Sequence, residues 1–263
     1  MRSQRITAPQ FTALKAEGRK ISMVTAYDFA QAKLVDAAGI EGILVGDSMS
    51  MVVQGHDSTL PVTLDEMIYH AEMVGRAVEH ALVVVDMPFP SFHLGKHKAI
   101  ENAGRILKES RCQAVKLESG VEQADTIAAL VSAGIPVMAH CGLRPQSVHQ
   151  LGGYKIQRDE QRLLADAEAA EQSGAFAIVL ECIPAELAAK ITQRTKIPTI
   201  GIGAGPDCHG QVLVLYDMLD VFPGRKARFV KNYMALAGSV QGAVELYVKE
   251  VKSGKFPGPE HSF

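Results

Sequence analysis

The sequence predicts an α/β fold, a (β/α)8 barrel of the TIM type preceded by a short helix, and three observations point there. Short runs rich in Val, Ile and Leu alternate with segments of helical periodicity along most of the chain. Five of these runs end in an ionisable residue: GILVGDS at Asp47, LVVVDMP at Asp86, AVKLE at Glu118, VMAH at His140 and IVLE at Glu181. Apolar runs of this length suit parallel strands buried on both faces, and charges at the same end of successive strands mark the face where barrels do chemistry. The 263 residues show no linker or composition break, so one barrel domain over 1–263, with 1–20 as an N-terminal extension, is expected.

Each element follows from its own residues. Residues 9–19 have the spacing of a short amphipathic helix, and ISMVTAY (21–27) opens the first strand. FAQAKLVDAAG is a helix closed by Gly39, before strand two at 42–47. Residues 48–64 lack periodicity and form a long loop; the next helix, 63–79, opens on the capping pattern Thr63…Glu66. Strand three (81–86), a helix near 97–109, strand four (113–118), a helix near 121–133, strand five (136–141), a helix near 159–173 and strand six (176–182) continue the alternation. PAELAAKITQRT is a helix with Pro184 near its start, and IPTIGIGAG is strand seven. QVLVLYD (211–217) has the apolar content of strand eight, although a helix competes for it.

Composition narrows the function. A net charge of −2 with mixed signs gives no basic stripe, so neither nucleic acid nor an anionic membrane is the expected partner. No apolar stretch approaches the ~20 residues of a membrane span, and MRSQRITAPQF has no signal-like apolar core, so a cytoplasmic protein is expected. Cys112, Cys141, Cys182 and Cys208 are widely spaced without a C-x-x-C pair and read as reduced core thiols. GIGAG (201–205) fails the G-x-G-x-x-G pattern at Pro206, and its glycines are expected to allow a close approach at the mouth of strand seven. The methionines of 49–51 are expected to pack, and the His and Lys residues of FHLGKHK to be solvated. No G-x-S-x-G or ordered Ser-His-Asp set supports a hydrolytic triad.

Barrel closure would crowd Asp47, Asp86 and Glu118, and three like charges cannot all stay ionised without a cation. Oxygen-only ligands favour Mg²⁺; the alternative is that each acid caps a helix or pairs with a Lys or Arg. Lys116 and Glu118 are two apart and share a face, so Lys116 either neutralises Glu118 or holds a substrate carboxylate. His140 is an acid, a base, a donor to substrate or a satisfied strand-end histidine. Glu181 is the candidate general base, since burial raises a carboxyl toward neutrality; the alternative is an acid capping the helix at Pro184.

The segments GDSMSMVVQGHDSTLPVTLDEM (46–67), VKLESG (115–120), HCGLRPQSV (140–148), GGYKIQ (152–157), VLECIP (179–184), IGIGAGPDCHGQVLVLYD (200–217) and FPGPEHSF (256–263) closely resemble the ketopantoate (3-methyl-2-oxobutanoate) hydroxymethyltransferase family, from about residue 20 to the C-terminus. The resemblance implies a (β/α)8 barrel that makes ketopantoate for pantothenate and coenzyme A synthesis. It implies 5,10-methylenetetrahydrofolate as one-carbon donor and one Mg²⁺ per subunit. It places metal ligands at Asp47, Asp86 and Glu118, contacts to the 2-oxo acid at Asp47, Ser48, Asp86 and Lys116, and the proton acceptor at Glu181. It also implies a homodecamer of two stacked pentameric rings. Met49-Ser50 stand where the family usually has Leu-Gly, Arg144 where Thr is common, and Cys141 where Leu or Val is usual. Two other functions compete. One is a Mg²⁺-dependent carbon–carbon lyase of the phosphoenolpyruvate mutase/isocitrate lyase group, whose lyases share a Lys-Lys-Cys-Gly-His segment that this chain lacks. The other is a catalytically silent barrel acting as a scaffold.

Overall fold

The computed structural model describes residues 5–224 and 226–263; residues 1–4 of the expected extension and Arg225 lie outside the described residues. Eight parallel strands pair in chain order: β1 (Ile21–Thr25), β2 (Gly42–Val45), β3 (Leu82–Asp86), β4 (Ala114–Glu118), β5 (Val137–Gly142), β6 (Ala177–Glu181), β7 (Thr199–Ile202) and β8 (Gly210–Leu213). The last strand returns to the first in the register Ile21↔Gly210 to Val24↔Leu213, which closes the cylinder. The helices are α1 (Ala8–Ala16), α2 (Phe29–Ala37), α3 (Met49–Val52), α4 (Leu64–Ala77), α5 (Lys96–Ser110), α6 (Ala124–Ser132), α7 (Val148–Leu151), α8 (Glu160–Gln172), α9 (Ala185–Arg194), α10 (Leu215–Met218), α11 (Met234–Ala237) and α12 (Val240–Lys252).

Strand periodicity sorts the apolar runs into two layers. Val83, Val85, Val115, Leu117, Ile178 and Leu180 face outward into the layer under the helices, while Leu82, Val84, Ala114, Met138, Ala177 and Val179 fill the barrel. Continuing the inward positions by two residues gives Asp86 after Val84, Lys116 and Glu118 after Ala114, His140 after Met138 and Glu181 after Val179. The register pairs Asp86 with Lys116, Glu118 with His140 and Glu181 with Gly142, so these groups share the C-terminal mouth. The opposite mouth is closed by α1, whose buried Phe11 and Leu14 join Ile21, Met23 and Leu82. Phe11 lies edge-on to Phe176 at 5.9 Å.

Several expectations hold in detail. Thr63 and Glu66 form a reciprocal capping box at the start of α4, all four cysteines are free and buried, and His93, Lys96, His97 and Lys98 are exposed. Gly203, at φ 61°, lets the Phe229 and Phe263 rings approach: an added Cβ would lie 2.8 Å from the first and 3.0 Å from the second.

Other expectations are corrected. The first strand stops at Thr25, two residues early. The loop 48–64 contains the single helical turn α3. Strand eight ends at Leu213, because the Thr25 hydroxyl accepts from Leu215 N at 2.9 Å and the chain turns into α10, placing Tyr216 and Asp217 on a helical turn. Residues 203–209 join β7 to β8 without a helix. The tail instead reaches this region, with Ala185 N donating to Phe263 O at 2.9 Å. After β8 come two single turns, α10 and α11, and then the long helix α12, which packs on α2 and β1 and has no counterpart in the sequence reading. Among the described residues no helix is long and apolar enough to cross a membrane.

Candidate active site

The C-terminal mouth holds a cavity of about 220 Å³ whose wall includes Asp47, Ser48, Asp86, Lys116, Glu118, His140 and Glu181. All seven sequence-predicted positions thus meet in one place. Their mutual contacts distinguish the alternatives left open above.

Asp86 binds in two directions. Its Oδ2 accepts from Asp47 N at 3.0 Å, and its Oδ1 lies 2.6 Å from Lys116 Nζ. Both groups of that close ion pair are buried. Burial opposes the Lys116 ammonium, but the carboxylates of Asp86 and Asp47 outweigh it and hold the pKa above its ordinary value. Lys116 therefore stays charged, paired with Asp86 rather than Glu118.

Lys116 Nζ also stands 3.3 Å from His140 Nδ1, while His140 Nε2 is 2.8 Å from Leu143 O and 3.4 Å from Glu181 Oε2. An ammonium can only donate, so His140 accepts at Nδ1 and carries its proton on Nε2, shared between the Leu143 carbonyl and Glu181. Burial and then the Lys116 charge push its pKa well below 6.5, which keeps the ring neutral. Gly142 permits this arrangement: at φ 99° it lets β5 bend over β6, where a Cβ would lie 2.3 Å from Glu181 O. Glu181 faces His140 and caps nothing, since Pro184 at the start of α9 has no side-chain cap.

Four buried or nearly buried carboxylates thus face one ammonium. Burial and then Asp86 push Asp47 up to about 7. Burial and then Asp47 push Glu118 well above the carboxylate range. Burial pushes Glu181 up to about 8, with Lys116 opposing and Asp47 and Asp86 adding to it. A hard divalent cation fits this donor set in chemistry, with oxygens only, and in charge. The side chains are not gathered on one point, however. Among the described residues no three His, Cys, Asp or Glu groups are arranged to hold a metal ion as they stand.

Gln146, which the sequence reading passed over, stands among these acids. Its backbone N–H donates to both Glu118 oxygens, at 3.0 and 3.1 Å, and its side-chain amide donates to Asp47 Oδ2 at 2.8 Å and Met87 O at 3.0 Å. It lies inside HCGLRPQSV, and that motif was the only sequence signal for it. The loop carrying it is fastened outside the cavity by Arg144, whose guanidinium donates to Glu122 Oε1 at 2.9 Å; Glu122 also pairs with Arg162. Tyr27, buried on the other side, exchanges a 2.9 Å hydrogen bond with the Ser48 hydroxyl.

Comparison with known proteins agrees with these motifs. The family model described as ketopantoate hydroxymethyltransferase matches residues 5–259. The 3-methyl-2-oxobutanoate hydroxymethyltransferase of Rhodopirellula baltica is 53% identical over 100% of this chain and 97% of its own length. That of Trichlorobacter lovleyi is 52% identical over 99% of both. Among solved structures, a phosphonopyruvate hydrolase complexed with oxalate and Mg²⁺ superposes with TM-score 0.62 at 14% identity, covering 97% of this chain and 93% of that one. A 2,3-dimethylmalate lyase of the phosphoenolpyruvate mutase/isocitrate lyase superfamily superposes with TM-score 0.60 at 20% identity and the same coverages. At these identities the likeness to the lyase and hydrolase structures is one of fold alone. With a full-length family match and relatives more than half identical, the chain belongs to the ketopantoate hydroxymethyltransferase family.

Proposed function

We propose that this family's reaction, transfer of a hydroxymethyl group to 3-methyl-2-oxobutanoate to give ketopantoate, is carried in this chain by Glu181 as base within a cavity built to hold a 2-oxo acid. The observation that supports this most is the Glu181 carboxyl, raised to about 8 by burial and 3.4 Å from a neutral His140, in the same cavity as three further acids. A base must take a weakly acidic C3 proton, and a carboxylate with a raised pKa is better suited to that than an ordinary one. Glu181 accepts the C3 proton and His140 holds the receiving carboxylate in place through Nε2–H. Lys116 balances Asp86 and offers its remaining N–H groups to the substrate carboxylate, with Ser48, oriented by Tyr27, as a second donor. Water releases the one-carbon unit of 5,10-methylenetetrahydrofolate at the oxidation level of formaldehyde, breaking both of its C–N bonds and leaving tetrahydrofolate; the C3 carbanion adds to that carbon, and the alkoxide formed takes up a proton to give the hydroxymethyl group.

Asp47, Asp86 and Glu118 would hold Mg²⁺. When bound, the ion supplies Lewis acidity that stabilises negative charge developing on the keto oxygen. The excess of buried carboxylate over buried cation supports this assignment. A homodecamer and a cytoplasmic location belong to the same proposal and rest on the family resemblance.

The test is solvent deuterium exchange at C3 of 3-methyl-2-oxobutanoate with Mg²⁺ and without folate. The wild-type protein is expected to exchange, with a rate that rises with pH while the base is still being ionised. Glu181→Gln should lower exchange by at least ~100-fold while the 2-oxo acid with Mg²⁺ still raises Tm. Undiminished exchange in that variant would move the base elsewhere.

A further inference from the structure

The cavity has two unlike halves. The acids, Lys116 and His140 come from β2–β6 and are accounted for by the 2-oxo acid. The wall contributed by β8 and the chain after it is apolar, with Val214, Phe222, Ala227 and Phe229, and Met51 and the half-exposed Tyr154 stand at its rim. One charged group interrupts this wall. Asp217, on α10, lines the cavity, and among the described residues no hydrogen bond or ion pair reaches its carboxylate. Lys226, whose charge acts on Asp217 from a distance, pairs with Asp220 at 3.3 Å. The turn into α10 that ends β8 early is what puts Asp217 here.

An unpartnered carboxylate on an apolar, partly aromatic wall calls for a particular ligand. The ligand must be flat and apolar on its faces, so that it can lie against rings, and it must carry two adjacent N–H donors on one edge, matching the two carboxylate oxygens. A 2-amino-4-oxopteridine has this form: the ring N3–H and the exocyclic amine point the same way. We propose that Asp217 recognises the pteridine of the folate co-substrate, accepting from N3–H and the 2-amino group while the apolar wall receives the ring. This assignment rests on the functional reading above and names the residue that selects the one-carbon donor. Asp217 thus acts in binding, from the turn after β8, whereas the proton transfer belongs to the end of β6. Burial raises the Asp217 pKa, with Lys226 opposing, so a donor pair that favours the anion repairs an existing cost.

The test compares tetrahydrofolate with its 2-desamino analogue by titration calorimetry, on the wild-type protein and on Asp217→Asn. The wild-type protein should bind the analogue at least ~10-fold more weakly, the order of a lost charge-assisted hydrogen bond. Asp217→Asn turns an N–H toward the donor edge and should lose at least ~10-fold in affinity for tetrahydrofolate, with the difference between the two ligands shrinking to within ~3-fold. Folate-free C3 exchange in the variant should fall far less than its folate affinity. Equal binding of both ligands by the wild-type protein overturns the proposal without any variant. Undiminished folate affinity in Asp217→Asn, or exchange lost in proportion to affinity, overturns it too. A wild-type protein that binds tetrahydrofolate but does not exchange C3 refutes the functional reading and leaves the pteridine contact to stand or fall on the analogue. If it exchanges but shows no preference between the ligands, only the Asp217 assignment fails.

Discussion

Replacing Gln146 with Glu keeps the size of the side chain and reverses its role toward Asp47. The amide N–H that donates to Asp47 Oδ2 at 2.8 Å becomes a carboxylate oxygen at about the same place. Two full charges at that separation would repel by about 6 kcal/mol at an effective dielectric of 20, so one carboxyl takes a proton instead. The cost of that proton is set by Asp47, which burial and Asp86 already push up to about 7. Holding it protonated costs about 0.4 kcal/mol at pH 7 and about 1.4 kcal/mol at pH 8. The lost hydrogen bond to a charged acceptor adds about 1.5–3 kcal/mol, with the backbone contacts to Glu118 retained. The expected destabilisation is therefore about 3–4 kcal/mol at pH 8, of the order of 6–10 °C in Tm, and about 2–3 kcal/mol at pH 6–7. The sign follows from linkage: a carboxyl whose folded pKa is raised destabilises when ionised, and the penalty is relieved as pH falls through that pKa. Calorimetric melts of Gln146→Glu, Gln146→Leu and wild type in chelator at pH 6, 7 and 8 measure this. Leu should lose stability by an amount nearly independent of pH, and Glu by an amount that grows above pH 7. Addition of Mg²⁺ should recover part of the loss in Glu only. A Gln146→Glu protein that melts with the wild type at pH 8, or whose deficit does not change between pH 6 and 8, would refute the electrostatic account of this cluster.

Other consequences are open to equally direct measurement. Asp86→Ala removes the partner of Lys116 and one proposed metal ligand, so steady-state kinetics should show kcat/KM lowered by at least ~100-fold; near-normal turnover would take Asp86 out of the site. His209, at the other end of the barrel, accepts from Thr199 N and Oγ1 at 3.2 and 3.0 Å, and burial, Lys15 and Lys20 lower its pKa to about 4. It therefore stabilises the fold fully above the unfolded value near 6.5 and loses that contribution as pH falls toward 4. Between pH 6.5 and 5 the wild type should lose about 1–2 kcal/mol more stability than His209→Asn after allowing for partial exposure, read as a steeper fall in Tm; melting temperatures that fall in parallel would mean that folding does not lower the pKa of this ring. Phe11→Ala should cost about 3–5 kcal/mol by emptying the plug under the barrel, with KM for the 2-oxo acid unchanged; a loss under 1 kcal/mol would mean that α1 does not seal that end.

Strand order and the charged mouth were legible because two periodicities coincide. Strands buried on both faces must be apolar throughout, so the first polar residue at an inward position, Asp86 after Val84 or His140 after Met138, announces the end of the core and the start of the cavity in the same step. The same regularity misled at β8. QVLVLYD keeps its apolar content through Tyr216, and nothing local says that the Thr25 hydroxyl will capture Leu215 N and turn the chain. That bond links residues 190 apart in sequence, and a contact of that range leaves no trace in a window of seven.

Gln146 was hidden for a different reason. An ionisable residue at a strand end is conspicuous because burying it is costly, whereas a glutamine in a polar loop is ordinary until its surroundings are known. Its importance comes from what converges on it: Glu118 from β4, Asp47 from the end of β2 and the Met87 carbonyl just past β3. Two of the acids that sequence alone identified, Asp47 and Glu118, share this one neutral donor, which comes from outside the strand repeat. Arg144 fits the same logic, since its ion pair with Glu122 ties down the loop that delivers Gln146. Relaxing that tie with Arg144→Thr should therefore act on the cavity only through Gln146. In a Gln146→Leu background the Arg144 substitution should have no further effect on the Tm gain from Mg²⁺ and the 2-oxo acid. Additive losses in the double variant would mean that the loop and the acids are fastened independently.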